Sequence, residues 1–359
     1  MFVPDNGTSE NISEKMKKLV CLFSLMLVVL ASCSEEKSPL TNPLKTSDGD
    51  ILRVADPCVC IYDGSYYLSA STATGLESWK SADLQTWEKV GPIAIFPEDD
   101  PLKSCIWASE VHNFGGKYYL TYSGLNPATS TLDTNLGVGE TPFGPFTLIA
   151  APLIHLEGKN AIDANIFVDD DGQAYLYFSE NGSSSEYAAY GALRQARLKP
   201  DFSGIEGKIM PVNEEYPDWE RLSIPRGVRC NEGSTVFKHG DTYYMTYSAN
   251  ETHMGDYGVG VQTAPTPLGP WTKADYNPIL FSSPKDGPLS EGGLPVIDSP
   301  GHNSIILDEK GEPQWIIYHR HAPEVTGYPS NDRVTCINRI WIDKNGEVRT
   351  DFAVPSAVK

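Results

Sequence analysis

The sequence predicts an all-β fold, a five-bladed β-propeller filling residues 44–359. Three observations lead there: one hairpin pattern recurs along the chain, further strands follow it within each unit, and no long amphipathic helix interrupts them. The recurring pattern is an apolar stretch, a Gly-containing turn and a second run of mixed aromatic and aliphatic residues. It appears as "DGSYYLSAS" (63–71), "GGKYYLTYSG" (115–124), "DGQAYLYFSE" (171–180), "GDTYYMTYSA" (240–249) and "KGEPQWIIYHRH" (310–321). The stretches before these turns are "VCIY", "EVHNF", "ANIFVDD", "STVFKH" and "NSIILDE". "NLGVGET" (135–141) and "GVGVQTA" (258–264) supply third strands. "PFGPFTL" (142–148) and "PLGPWTK" (267–273) repeat a turn after them, and "ADLQTWEKVG" (82–91) plays the same linking part in the first unit. About four strands per unit is the content of a propeller blade. "VDDDG" (168–172) lacks the spacing of an EF-hand loop and reads as a β-turn.

The ends and the composition bound the function. Residues 1–33 carry a basic flank, "KMKK", then the apolar run "LVCLFSLMLVVL", then "LASC" at 30–33. That run is too short for a comfortable membrane span, which takes about 20 residues. The pattern resembles a bacterial lipoprotein signal with a lipobox, so Cys33 is the expected lipid anchor, residues 34–43 are a polar tether, and the expected location is the bacterial cell envelope. The lipid anchor is then the only expected contact with a membrane. Lys and Arg total 28 against 47 Asp and Glu, a formal charge of −19, which repels nucleic-acid phosphates and excludes nucleic acid as a partner. A neutral oligo- or polysaccharide is compatible with it. Of the remaining cysteines, Cys58 and Cys60 form a lone CxC and read as small buried hydrophobes.

In a propeller the innermost strands surround the axis, and residues entering them converge on one mouth. The entry segments are "RVADPCVC" with Asp56, "WASEVH" with Trp107 and Glu110, "NAIDANIF" with Asp163, "RCNEGSTVF" with Glu232 and "PGHNSIIL" with His302. Five blades thus offer Asp, Glu, Asp, Glu and His at nearly equivalent positions. Any one of these alone reads equally well as a turn-capping group; the convergence favours a site.

At these residues the chain resembles glycoside hydrolase family 43, the arabinofuranosidases, xylosidases and arabinanases. "ADP" matches the family's Asp-Pro motif, "IDANIFVDDDG" the motif of its second Asp, "NEGSTVFKHGDTYYMTYS" its Glu-Gly motif and "GHNS" its last-blade motif. Ser234 stands where the family usually has Pro. The resemblance implies an inverting hydrolase with Asp56 as general base, Glu232 as general acid and Asp163 tuning the acid's proton affinity. It implies plant cell-wall polysaccharide as substrate, cleaved at α-L-arabinofuranosyl or β-D-xylosyl linkages. No cofactor is required, although in part of the family a Ca²⁺ ion sits near the axis, for which His302 is the candidate ligand; the alternative is a hydrogen bond from His302 to Glu232. Trp107 is the candidate sugar-stacking platform, with ordinary propeller packing as the alternative; Glu110 is expected in the funnel, either binding sugar or ordering a neighbour; Arg333 is expected to meet either a sugar hydroxyl or a surface salt-bridge partner. Two other readings stay open: a fructosidase-type propeller, disfavoured because "VADP" replaces an Asn-Asp-Pro motif, and a non-catalytic lipid-anchored glycan-binding protein.

Overall fold

The computed structural model describes Met1 and residues 40–253, 255–283, 297–321 and 333–352. The signal segment with Cys33, and the tether up to residue 39, lie outside the described residues. The chain from Leu40 onward forms five sheets of four or five strands, each a blade. The innermost strands are Ala55–Tyr62, Ser104–Phe114, Asn160–Val168, Asn231–His239 and Asp298–Leu307. Each pairs antiparallel with the strand that the Tyr-rich repeat predicts: Ser65–Thr72, Lys117–Asn126, Ala174–Gly182, Thr242–Ala249 and Pro313–His321. "VDDDG" is a turn, closed by Gly172 N donating to Asp169 O at 2.9 Å.

The second strands do not simply alternate between buried and exposed. Tyr243 through Ala249 are all buried, because each blade is covered on both faces by its neighbours. Five apolar clusters fill the five interfaces. Leu76, Val111, Leu120 and Phe146 join blades one and two, and Tyr177, Tyr247 and Trp271 join blades three and four. Leu52, Leu68, Trp87, Ile317 and Ile337 close the ring between blades five and one. That closure is also stapled by backbone: Leu44 N donates to Thr335 O at 2.9 Å and Thr335 N to Leu52 O at 3.0 Å. The start of the propeller is thereby sewn to the third strand of its last blade.

Between blades three and four the chain makes two short 3-10 turns, Asp218–Arg221 and Ile224–Arg226. They carry Glu220 into the interior, where it is fully buried. Its carboxylate accepts from Lys273 Nζ at 2.5 Å, Tyr247 OH at 2.5 Å and Asn231 Nδ2 at 3.0 Å. A buried carboxylate is tolerated only when paired and hydrogen-bonded. This one also anchors Asn231, the residue before Glu232. Lys273→Met should therefore lower stability by about 3–5 kcal/mol, because it strands a buried charge. Urea unfolding of the variant measures this, and adding Glu220→Gln should recover much of the loss. A loss near zero for the single variant would mean that Glu220 is not held as an anion.

Candidate active site

Every innermost strand breaks register at the same place. Two residues lie unpaired between Ala55 and Cys58, Trp107 and Glu110, Ile162 and Asn165, Glu232 and Thr235, and Gly301 and Ser304. The first bulged residue is left-handed in all five blades: Asp56 (φ 51°), Ala108 (52°), Asp163 (58°), Gly233 (55°) and His302 (46°). A β-bulge of this kind re-aims a side chain. Here it turns Asp56, Asp163 and His302 toward one another.

The strictly equivalent set is therefore Asp, Ala, Asp, Gly and His, which corrects the register read from the sequence. Glu232 precedes its bulge, and Gly233 takes the left-handed position that favours glycine. A Cβ at 233 would also stand 3.2 Å from His302 Cγ. Gly233 N donates to Asp163 Oδ2 at 3.3 Å, which sets the backbone of Glu232 against Asp163. Glu110 follows its bulge and stands deeper along the axis. It is buried, its Oε2 accepts from Asn165 Nδ2 at 2.7 Å and lies 2.9 Å from His112 Nε2, and it lines a cavity at the far ends of the inner strands. Of the two expectations for Glu110, its contacts match the ordering of neighbours: its carboxylate is bonded to Asn165 and lies beside His112.

Asp56 is the most heavily supported of the acids. Arg333 Nη1 donates to its Oδ1 at 3.1 Å, and His302 Nδ1 and His319 Nδ1 lie 3.4 Å and 3.3 Å from the same oxygen. Burial alone would raise this carboxyl, but the charge of Arg333 first, then His302, holds it well below the usual carboxylate range. His319 accepts from Asp56 N at 3.2 Å through Nδ1, which assigns a neutral ring with its proton on Nε2. Burial, reinforced by Arg333, pushes His319 down to about 3. His302 goes the other way. Burial opposes its charge, yet Asp56, Asp163, Glu232 and Glu110 together raise it, drawing it toward the cationic form.

Asp163 is pushed up to about 7 by burial, against the pull of His302 and with added repulsion from Glu232 and Asp56. Asp163 thus holds a proton near neutrality, and it forms a neighbouring carboxyl pair with Glu232 through the Gly233 N–H. Glu232 is the more accessible member. Its Oε1 accepts from Tyr257 OH at 2.8 Å, and Cys230 Sγ lies 3.4 Å from Oε2. The expected hydrogen bond from His302 to Glu232 is not made; His302 faces Asp56 and Asp163 instead, with Nδ1 3.9 Å from Asp163 Oδ2. The calcium expectation finds no fitting donor set either. The imidazole that was to ligate it is drawn toward the protonated form, and no group of three or more His, Cys, Asp or Glu residues is arranged for a metal among the described residues.

Trp107 and Arg333 stand at the rim, 36% exposed and with a side chain 31% exposed, and line one cleft together. The sequence reading missed Tyr257, His319 and Gly301. The last is legible only in three dimensions: a Cβ at 301 would come within 2.0 Å of the Tyr257 ring, so Gly301 lets Tyr257 reach Glu232.

The raised Asp163 makes a prediction about stability. The folded state keeps a proton that the unfolded chain releases above its ordinary value of 3.8. Its contribution to stability must then fall as pH rises from about 4 to about 7, opposite in sign to that of His319, which the fold keeps neutral down to about 3. Asp163→Asn should flatten that fall, read from urea midpoints across the range. An unchanged slope would count against a raised Asp163.

The comparisons with known proteins agree with this geometry. The profile described as glycosyl hydrolases family 43 matches residues 48–348. A solved structure, that of a thermostable family-43 glycoside hydrolase, superposes with a TM-score of 0.75 at 33% identity, covering 88% of this chain and 97% of that one. The β-D-galactofuranosidase xynD of Aspergillus niger is 28% identical over 82% of this chain and 81% of its own length. The β-xylosidase of Xylanibacter ruminicola is 26% identical over 83% of this chain and 96% of its own. A propeller of five blades, acids from three of them converging at one mouth, and a family profile spanning nearly every described blade lead to one conclusion: this chain belongs to glycoside hydrolase family 43 and is a glycoside hydrolase.

Proposed function

We propose that the protein removes α-L-arabinofuranosyl or β-D-xylosyl residues from plant cell-wall polysaccharide with inversion of configuration. The observation that carries the assignment of roles is the split in proton affinity across the ring. Asp56 is held ionised by Arg333, while Asp163, set against Glu232 through the Gly233 N–H, is pushed up to about 7. Glycoside hydrolysis by inversion needs such a split: one carboxylate to activate water and one carboxylic acid to protonate the leaving oxygen, with about 6.5–9.5 Å between them for that water. No cofactor enters this chemistry.

Asp56 takes a proton from water as the oxygen attacks the anomeric carbon from the face opposite the leaving group. Glu232 gives its proton to the departing glycosidic oxygen as that bond breaks. Asp163 is the neighbour of the acid, and once its own proton has left, its negative charge opposes ionisation of Glu232. Tyr257 orients the Glu232 carboxyl. Trp107 at the rim offers a flat face to a sugar ring.

The names of relatives favour pentose and furanose substrates. They include a β-xylosidase, an extracellular exo-α-(1→5)-L-arabinofuranosidase of Streptomyces avermitilis and a xylosidase/arabinosidase of Bacteroides ovatus. A panel of aryl arabinofuranoside, xyloside and galactofuranoside separates these sugars, and adding sucrose tests the fructosidase alternative.

The division of labour has a sharp test. A general acid matters in proportion to how poor the leaving group is. Glu232→Ala should lose about 10²–10⁴-fold on a natural glycan but much less on a dinitrophenyl glycoside. Asp56→Ala should fail on both. Proton NMR of the first-formed sugar should show the anomer opposite to that of the substrate. Retention, or equal losses for Glu232→Ala on both leaving groups, would overturn the roles assigned here.

The lipobox reading places the enzyme on the bacterial envelope through Cys33, with residues 34–43 as tether. Cys33→Ala should release the protein from membranes with hydrolysis intact. A variant that still fractionates with membranes would end that reading.

A further inference from the structure

Blade three brings a further polar cluster to the catalytic mouth. Its second strand ends at Gly182 and its third begins at Ala189, at the end of the blade where Asn160 and Asp163 stand. The short strand Val228–Arg229 runs parallel beside Ala189–Tyr190. Glu232 follows Arg229 by three residues, about 10 Å along an extended chain. Cys230, between them, has its Sγ 3.4 Å from Glu232 Oε2. In a ring of five blades the interface of three and four faces blade one, which carries Asp56. The cluster therefore stands on the acid's side of the mouth, across from the base.

Arg229 is held there by aromatic rings. Its Cζ lies over Tyr187, 4.7 Å from the ring centroid, and over Tyr216, 4.6 Å from that centroid. Lys273 Nζ lies over Tyr216 in turn, at 4.9 Å, and is tied to the buried Glu220. The guanidinium thus rests on rings anchored in the core. No carboxylate pairs with it among the described residues: Glu186 accepts from Tyr187 OH at 2.7 Å, and Glu214 lies 3.3 Å from Arg194 Nη1. Its Nε is buried with no hydrogen-bond partner. In a chain with 47 acidic residues, an Arg that served stability alone would meet a carboxylate or turn that N–H to water. Ring stacking freezes the long side chain before any ligand arrives, which lowers the entropic cost of binding. The guanidinium donors lie in one plane, an arrangement that can grip two neighbouring oxygens at once. Half-buried Tyr187 beside it offers ring surface.

We propose that Arg229 and Tyr187 form the leaving-group subsite. The guanidinium donates to adjacent hydroxyls of the sugar that carries the scissile oxygen, and the Tyr187 ring packs against that sugar. A general acid protonates the leaving oxygen, so the leaving sugar lies on the side of Glu232, where this cluster stands. The proposal rests on the glycosidase reading and deepens it: the leaving group is itself a sugar, so the substrate is a glycan chain and not the glycoside of a small alcohol or phenol.

The test compares two substrates of the same terminal pentose: an aryl glycoside, which has no leaving sugar, and the matching trisaccharide. Arg229→Met keeps an apolar stem against the rings and removes the donors. Its kcat/KM on the trisaccharide should fall about 10–100-fold, the worth of one or two hydrogen bonds from a charged group. On the aryl glycoside, kcat/KM and the pH–rate profile should match the native enzyme, because Glu232 keeps its contacts with Tyr257 and Cys230. Tyr187→Ala should show a smaller loss, again confined to the trisaccharide, and it decides the matter if Arg229→Met does not fold. Equal losses on the two substrates, or native activity of the variant on the trisaccharide, would overturn the proposal. So would a native enzyme that cleaves the aryl glycoside and leaves the trisaccharide intact. A native enzyme that cleaves neither, across the panel of sugars, would sink the glycosidase reading instead.

Discussion

The site depends on a repeated break in strand register. Each innermost strand carries a bulge whose first residue is left-handed, and four of those residues are not glycine: Asp56, Ala108, Asp163 and His302. For L-residues that conformation costs about 1–2 kcal/mol each, and Asp tolerates it best among these four. The surrounding sheets sustain the strain. Ser71 Oγ accepts from Ala108 N at 2.7 Å, and His302 N donates to Ser248 Oγ at 2.8 Å. Strain of this sort concentrates where a side chain must be aimed, and here it aims three polar side chains at one axis. In blade four the same demand is met by Gly233, which frees the preceding residue, Glu232, to stand nearer solvent. One backbone device thus yields buried acids and an accessible one from nearly identical strands.

The electrostatics follow from that placement. Three carboxylates brought together in a shielded mouth cannot all be ionised without compensation. The chain supplies compensation unequally. Asp56 receives Arg333 and lies nearest to His302, so it stays charged. Asp163 has only the more distant His302 and a backbone N–H, so it is driven toward the protonated form. Glu110, lower on the axis, adds a further negative charge that favours the imidazolium of His302. The difference between an ionised carboxylate and one that holds its proton therefore comes from neighbours and not from residue type, since Asp56 and Asp163 are the same amino acid on equivalent bulges.

The scaffold is built to hold this arrangement rigidly. Apolar clusters lock adjacent blades, and backbone bonds from Leu44 and Thr335 close the ring. The buried Glu220 network fixes the segment entering blade four.

Much of this was legible in the chain alone. The five "YY…YS"-like hairpins and their spacing predicted the propeller, because a blade repeats its hydrophobic pattern whatever its neighbours do. The Asp-Pro and Glu-Gly segments marked Asp56 and Glu232, and Asp163 and His302 fell at matching places in their own repeats. What the sequence could not reveal is which residues share a layer. A two-residue bulge shifts every side chain after it, so Glu110 read as equivalent to Asp56 although it stands deeper on the axis. Tyr257 lies just before a strand with no motif, Gly301 and His319 stand inside "GHNS" and "KGEPQWIIYHRH" with no sign there of their part, and all three join the site only because blades four and five pack against each other. The protonation states were equally hidden: they depend on distances such as 3.1 Å from Arg333 to Asp56, between residues 277 positions apart in the chain, and such distances exist only once the ring has closed.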